Sequence, residues 1–153
     1  MGKQKFLIAF FLIISQVNFA QIKKSQPVKI KVPKLISTLG IFKDSVVLKT
    51  EQVKAILGTP ILVKDDKNNA YKVVYYQFAY TRKAFTEDEK TGKISPTTSL
   101  ATDYFTSTPL PERWVRIIKE DIQPGEQLFF CDIIVKDSSG RSFYAPNIKI
   151  ITQ

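Results

Sequence analysis

The spacing of apolar residues in the last third of the chain predicts a strand that is buried on both faces. Pro124-Gly125 favours a type II turn, because proline fixes φ and glycine accepts the positive φ that follows. Residues 127–136 (Q-L-F-F-C-D-I-I-V-K) come next and are apolar at nearly every position. Apolar side chains on both alternating faces are typical of a strand in the interior of a sheet.

Two further strands are predicted after this one. Residues 137–140 (D-S-S-G) form a short polar loop whose glycine suits a left-handed position, so residues 141–144 should run back antiparallel. Pro146 has no N–H and should interrupt the ladder before residues 148–151 resume it, as at an edge or a bulge.

The longest alternating stretch is residues 71–83 (Y-K-V-V-Y-Y-Q-F-A-Y-T-R-K), whose period of two predicts a long strand. Residues 84–96 are polar and predict a solvated hairpin tip or loop. Residues 97–107 are rich in threonine and predict a weak strand. The two predicted faces of the long strand are Val74, Tyr76, Phe78 and Tyr80 on one side and Tyr71, Val73 and Tyr75 on the other.

Two short helices are predicted. Residues 50–57 (T-E-Q-V-K-A-I-L) have apolar positions on one helical face, Thr50 as a candidate N-cap and a glycine directly after them. Residues 112–119 follow Pro111 and place Trp114 on an apolar stripe that is expected to face the core. Together with a half-exposed strand at residues 28–32, these elements predict an all-β antiparallel sandwich with one or two short helices.

The N-terminus has the pattern of an export signal. Lys3 and Lys5 precede nine apolar residues, 6–14, and Asn18-Phe19-Ala20 resembles a cleavage site, so residues 1–20 are predicted to be a signal peptide cut after Ala20. The apolar run is too short to span a bilayer comfortably, although a retained anchor is the alternative. Residues 21–33 are then a basic tail with the start of the first strand, and residues 34–153 form one domain. The predicted location is periplasmic or secreted.

Charge and composition limit the chemistry. Removing Lys3 and Lys5 from 23 basic residues leaves 21 against 14 acidic ones, which favours anionic envelope surfaces or acidic proteins as partners. Export makes nucleic acid an unsuitable partner. The chain has no histidine, no glycine-rich phosphate loop and a single cysteine, Cys131, which is expected to fill a buried strand. The sequence therefore predicts no cofactor, no metal and no catalytic activity.

The quoted motifs resemble one known family. Residues 71–80 (Y-K-V-V-Y-Y-Q-F-A-Y), 116–141 (R-I-I-K-E-D-I-Q-P-G-E-Q-L-F-F-C-D-I-I-V-K-D-S-S-G-R) and 145–150 (A-P-N-I-K-I) are similar to the C-terminal domain of the gliding motility protein GldM, a periplasmic component of the type IX secretion system. The resemblance spans roughly residues 34–151 and implies an immunoglobulin-like sandwich that works by protein contact. This chain differs from the whole GldM protein, because it has one domain and no acidic residue in its apolar segment.

The predicted function is a non-catalytic protein-interaction module of the cell envelope, whose oligomeric state and partner the sequence leaves open. Tyrosine and arginine are enriched at interaction hot spots, while lysines on a strand also discourage edge pairing, so both interpretations of the basic strand stay open. The candidate partner-binding residues are Lys29, Lys31, Lys34, Tyr71, Tyr75, Arg82 and Phe85.

The alternative function is a carbohydrate-binding module that stacks sugars on tyrosines. It would require Tyr71, Tyr75 and Tyr80 to form one exposed strip. Because Tyr80 is predicted on the opposite face from the other two, that strip is not expected. A hydrolase is a third possibility and would need carboxylates gathered from distant loops.

Overall fold

The computed structural model describes residues 31–153, which form eight strands and two helices. The predicted signal peptide, residues 21–30 of the basic tail and Lys29 lie outside these residues. Residues 31–34 are not part of a strand. The helices are α1 (Thr50–Ile56) and α2 (Glu112–Asp121), and the strands are β1 (Leu35–Leu39), β2 (Ser45–Leu48), β3 (Ile61–Asp65), β4 (Ala70–Glu87), β5 (Ile94–Phe105), β6 (Gln127–Lys136), β7 (Ser142–Tyr144) and β8 (Ile148–Thr152).

The strands make one curled, mixed sheet in the order β1-β3-β4-β6-β8-β2, with β5 paired to β4 and β7 paired to β6. The curl brings β1 into contact with β8. The prediction of a wholly antiparallel sheet is wrong at one pairing, because β2 runs parallel to β8. These two strands come from opposite ends of the described chain. Because no hairpin joins them, they are not required to be antiparallel.

The turns before and after β6 are confirmed. Gly125 has φ of +90°, the N–H of Glu126 bonds the carbonyl of Gln123, and β6 starts at the next residue. In the following loop the carboxylate of Asp137 accepts the backbone N–H groups of Ser139 and Arg141, both at 2.9 Å. These local bonds explain why short stretches of sequence were enough to locate the hairpin.

The two helices also match their predicted positions. The cap of α1 differs, because Thr50 lies inside the helix and Lys49 precedes it, with the N–H of Lys49 donating to the side chain of Gln52 at 3.0 Å. In α2, Trp114 is half-buried and packs edge-on against Phe78 with ring centroids 5.3 Å apart. Its expected place on the core side of the helix is confirmed.

The predicted faces of β4 are wrong at the start of the strand. Val73 is 5% exposed and Tyr76 is fully buried, so the buried positions change from odd to even numbers between them. The same change occurs in β6, where Phe130 and Ile133 are both buried. The cause is a pair of β-bulges. In β4 there is an extra residue between the pairings of Val73 and Tyr75, and in β6 there is one between the pairings of Ile134 and Cys131.

Asp132 forms the bulge in β6 and has a φ of +50°. We expect Asp132→Val to lower the free energy of unfolding by about 1–2 kcal/mol, because β-branched residues avoid positive φ. Asp132→Gly is the matched control and should change it by less than about 0.5 kcal/mol, since glycine accepts this conformation. Urea denaturation of both variants would measure the difference, and equal stability would contradict the account of the bulge.

A buried carboxylate directly before β6 connects that strand to the middle of β4. Glu126 is 3% exposed, and its side chain accepts bonds from the hydroxyl of Tyr80, from the N–H of Lys83 at 3.0 Å and from the N–H of Gln123 at 3.1 Å. Its own N–H donates to Thr152 in β8 at 2.9 Å. Burial, together with this hydrogen bond to Glu126, raises the pKa of Tyr80, so the hydroxyl remains protonated and continues to donate.

Candidate interaction face

Among the described residues, one side of the sheet is packed against the core, and the side chains on the other side are half-buried or exposed apart from Cys131. We call this other side the outer face, and its apolar side chains come from β2, β4, β5, β6, β7 and β8. Paired residues fix which side chains share this side, because directly opposite residues in neighbouring strands point the same way. The apolar residues of the outer face are Val47, Tyr75, Ala79, Leu100, Tyr104, Phe129, Ile134, Tyr144 and Ile151.

Several of these side chains are strongly exposed. Tyr144 is 75%, Leu100 is 65%, Tyr104 is 60% and Val47 is 52% accessible to solvent. Scattered apolar residues are normal on protein surfaces, whereas exposed aromatic side chains that contact one another, as Tyr75 and Tyr104 do, more often mark an interaction site. Since the outer face runs across neighbouring strands, its geometry suits a broad and fairly flat partner.

A row of tyrosines crosses the outer face. Tyr75 and Tyr104 stack with ring centroids 6.1 Å apart and an interplanar angle of 23°. Tyr75 pairs with Ile134 of β6, which pairs in turn with Tyr144 of β7. Burial raises the pKa of Tyr75, with smaller contributions from neighbouring Tyr104 and Asp132, so its hydroxyl remains protonated at neutral pH.

Beyond the outer face, β4 and β5 continue as a two-stranded ribbon. The pairing of β4 with β6 ends at Thr81, whereas its pairing with β5 continues to Glu87. Phe85 and Ile94 on this ribbon are 74% and 65% exposed. The turn at its tip is closed by the carboxylate of Asp88, whose pKa is lowered by hydrogen bonds from Thr91 and Lys90. The predicted hairpin tip is confirmed and is shorter than expected.

The structure separates the predicted partner-binding residues. Tyr75 and Phe85 lie on the outer side of the β4–β5 pair. Tyr71 precedes the bulge and lies on the core side, where it meets Phe143 edge-on at 5.9 Å and its hydroxyl donates to Asp65. Arg82 is also on the opposite side and bonds Asp121 of α2 at 3.3 Å. The prediction that Tyr71 and Tyr75 share one face is therefore wrong, and the bulge between them is the reason.

Lys31 and Lys34 are both exposed. They line a shallow depression together with the acidic residues Asp65 and Asp66. The strip that carbohydrate stacking would need is absent among the described tyrosines named for it, because Tyr80 is 1% exposed and Tyr71 and Tyr75 lie on different faces.

Most of the outer face is not evident from the sequence. The sequence predicts only a weak strand around Leu100, places Phe129 and Ile134 in a strand buried on both sides, and places Tyr144 at the end of a hairpin. The alternation of Leu100, Thr102 and Tyr104 with a period of two was the available signal, but it does not reveal that the opposite side of the sheet has the core.

The described residues contain no group of three or more histidine, cysteine or acidic side chains placed to hold a metal ion. Within residues 31–153, neither helix has the length and apolar character needed to cross a membrane. Burial raises the pKa of the Cys131 thiol, as expected for a side chain that fills space in a strand. No protein-family model matches this sequence, and no curated protein matches it either.

Proposed function

We propose that this chain is an exported, non-catalytic protein-interaction module of the cell envelope. The observation that supports it is the outer face, which has exposed apolar and aromatic side chains on the side of the sheet opposite the core. Exposed aromatic residues supply large contact area at a low cost in side-chain entropy, which is why they are enriched at interface hot spots. The basic charge of the chain would add attraction to anionic envelope surfaces.

The proposal includes the resemblance to the C-terminal domain of GldM and, with it, a part in type IX secretion or gliding. The resembling residues 71–80 lie in β4, and residues 116–141 include all of β6. These two strands supply the centre of the outer face. The finer description of the fold as an immunoglobulin-like sandwich belongs to the same proposal, as do export by a signal peptide cleaved near Ala20 and a periplasmic or secreted location.

Site-specific photocrosslinking in intact cells tests the proposed contact. A photoreactive phenylalanine analogue at Val47 or Tyr144 should give a discrete adduct with another envelope protein, because both positions are exposed on the outer face. The same analogue at Ile41 is the matched control, since this residue is 87% exposed but lies in the turn after β1.

A second substitution makes the test specific. In a chain with the analogue at Tyr144, Val47→Lys should reduce adduct yield at least about tenfold, because a lysine must be desolvated at an apolar contact. Ile41→Lys should leave the yield unchanged. Equal crosslinking from Ile41 and Tyr144, or an adduct that is insensitive to Val47→Lys, would reject the outer face as the contact surface.

A carbohydrate-binding module is the second candidate, and the row of Tyr104, Tyr75 and Tyr144 is the observation that favours it. Aromatic rings on a flat sheet can stack against sugars. Titration of the full chain with envelope oligosaccharides, followed by calorimetry, would separate the two candidates. Binding that is lost in both Tyr104→Ala and Tyr144→Ala and retained in Ile41→Ala would favour carbohydrate, whereas absence of heat would leave protein contact as the function.

A further inference from the structure

One edge of β5 has no strand paired to it in the part of the chain that the structure describes. In an antiparallel strand, the N–H and C=O of one residue point to the same side, and successive residues alternate between sides. Pro96 has no N–H and pairs with Phe85, so its position suits the side that faces away from β4. The even-numbered residues of β5 are therefore expected to direct their backbone groups outward.

Two hydrogen bonds support this assignment independently. The N–H of Tyr104 is bonded by the carboxylate of its neighbour Asp103 at 2.8 Å, so it is not engaged with β4. On the other strand, the N–H of Lys83 points away from β5 and donates to Glu126 at 3.0 Å. Lys83 is opposite Thr98 in the register, which places Thr98 on the outward-facing set.

Within residues 31–153, three residues consequently present donors and acceptors along this edge that no other strand uses. They are Thr98, Leu100 and Thr102, and no bond to their backbone N–H groups occurs outside the regular ladder of the described residues. The stretch is closed at one end by Pro96, which has no donor, and at the other by Tyr104, whose donor is already used. An edge of this length fits one short antiparallel strand.

The edge also lacks the charges that normally prevent pairing. Exposed edge strands usually have lysines, other inward-pointing charges or bulges that discourage a second strand. The single charged residue in β5 is Asp103, and its carboxylate is bonded by the N–H of Tyr104 and by Nε1 of Trp114 at 3.2 Å. Between Thr97 and Thr102 the strand is uncharged and has β-branched or apolar side chains at most positions.

We propose that this edge pairs antiparallel with β5 of a second copy of the chain, with the two-fold axis at Leu100. In that register Leu100 faces Leu100 of the second copy, and Thr98 faces Thr102 on either side. Each of these three pairs can exchange two backbone bonds, which gives roughly six in all. The sheet then continues from one copy into the other.

The ends of the open stretch favour a second copy over an unrelated strand. With Leu100 on the axis, Pro96 of one copy faces Tyr104 of the other. The missing donor of Pro96 therefore meets a residue whose own donor is occupied by Asp103, so no free N–H is buried at either end. Moving the axis to Thr98 or Thr102 would instead place one of these blocked residues opposite Leu100.

Side chains at the axis agree with this register. Leu100 is 65% exposed in the single chain, and pairing would bring the two leucines together on the outer side of the joined sheets. No like charges would face each other across the three central pairs, since none of these residues is ionisable. This dimer does not depend on the function proposed above, because its backbone bonds form along the strand edge; Leu100 is the side chain that the dimer contact and the outer face share.

Charge substitution at the axis provides a direct test. Sedimentation of the full chain from micromolar to near-millimolar concentration should reveal a reversible monomer–dimer equilibrium. Leu100→Lys and Leu100→Glu should each raise the dissociation constant at least about tenfold, because two like charges would meet at the axis. An equal mixture of the two variants should restore dimers, since the mixed pair has opposite charges.

The restoration separates a lost contact from a misfolded variant, because a chain that failed to fold could not regain dimerisation on mixing. Tyr144→Lys is the matched control: it places a lysine on the outer face but far from the β5 edge, and should leave the equilibrium unchanged. A wild-type chain that stays monomeric throughout, a dimer insensitive to Leu100→Lys, or a mixture that fails to associate would each overturn the proposal.

Discussion

Phe78→Ala should lower the free energy of unfolding by about 4 kcal/mol, the largest effect expected of a single substitution in this chain. Phe78 is fully buried at the centre of β4, with the ring of Phe130 4.9 Å away and that of Trp114 5.3 Å away. Removal of its ring leaves a cavity between β4, β6 and α2 that the two neighbouring rings cannot easily fill. Urea denaturation monitored by Trp114 fluorescence would measure the loss.

Phe85→Ala is the matched control, because it removes the same ring from the same strand. Phe85 is 74% exposed on the ribbon, so its substitution should change stability by less than about 0.5 kcal/mol. If the two substitutions lowered the free energy of unfolding by similar amounts, Phe78 would not be a core residue and these packing contacts would be wrong.

Glu126→Ala should lower the free energy of unfolding by about 3 kcal/mol, which is the second largest effect expected. The substitution leaves the buried hydroxyl of Tyr80 and the part-buried backbone N–H groups of Lys83 and Gln123 without their acceptor. A buried donor that loses its acceptor destabilises a protein by about 1–3 kcal/mol. Because these three donors share one acceptor, their losses are not expected to add fully.

Two further variants check the mechanism of this loss. Tyr80→Phe removes one donor and leaves the other bonds to Glu126 intact, so it should lower the free energy of unfolding by only about 1 kcal/mol. Glu120→Ala removes an exposed carboxylate from α2 and should change stability by less than about 0.5 kcal/mol. Thermal unfolding of the three variants should therefore rank Glu126→Ala as the most destabilising, and a different order would contradict a structural role for this carboxylate.

Turns and hairpins were predictable from the sequence because their causes are local. Pro124-Gly125 sets its own backbone angles, and Asp137 closes its loop with bonds to Ser139 and Arg141. Helices α1 and α2 were found for the same reason, since their apolar positions repeat within a few residues. The N-cap of α1 was missed because Lys49 is not a typical capping residue.

The distribution of side chains between the two faces could not be predicted, because it depends on long-range pairing. Alternation from Tyr71 to Tyr80 suggests one continuous pattern, but the extra residue near Val74 shifts it in the folded sheet. Asp132 gives a faint local indication, since aspartate tolerates positive φ better than most residues. The parallel pairing of β2 with β8 also joins residues that are far apart in sequence.

The candidate interaction face was only partly predicted for the same reason. Tyr75 was selected by residue type and does lie on the outer side, as does Phe85, whereas Tyr71 and Arg82 were selected on the same grounds as Tyr75 and do not. Residue type indicates which side chains can bind a partner. Which of them lie together is decided by the strand partners, and those were not visible in the sequence.

The two extra residues in β4 and β6 compensate each other, so the pairs on both sides of them remain in step. Deleting a single codon near Val74 would turn Tyr76, Phe78 and Tyr80 toward water unless β6 lost a codon near Asp132 as well. A change in length at one bulge is therefore tolerated only with a matching change at the other. Homologous chains should have both extra residues or neither.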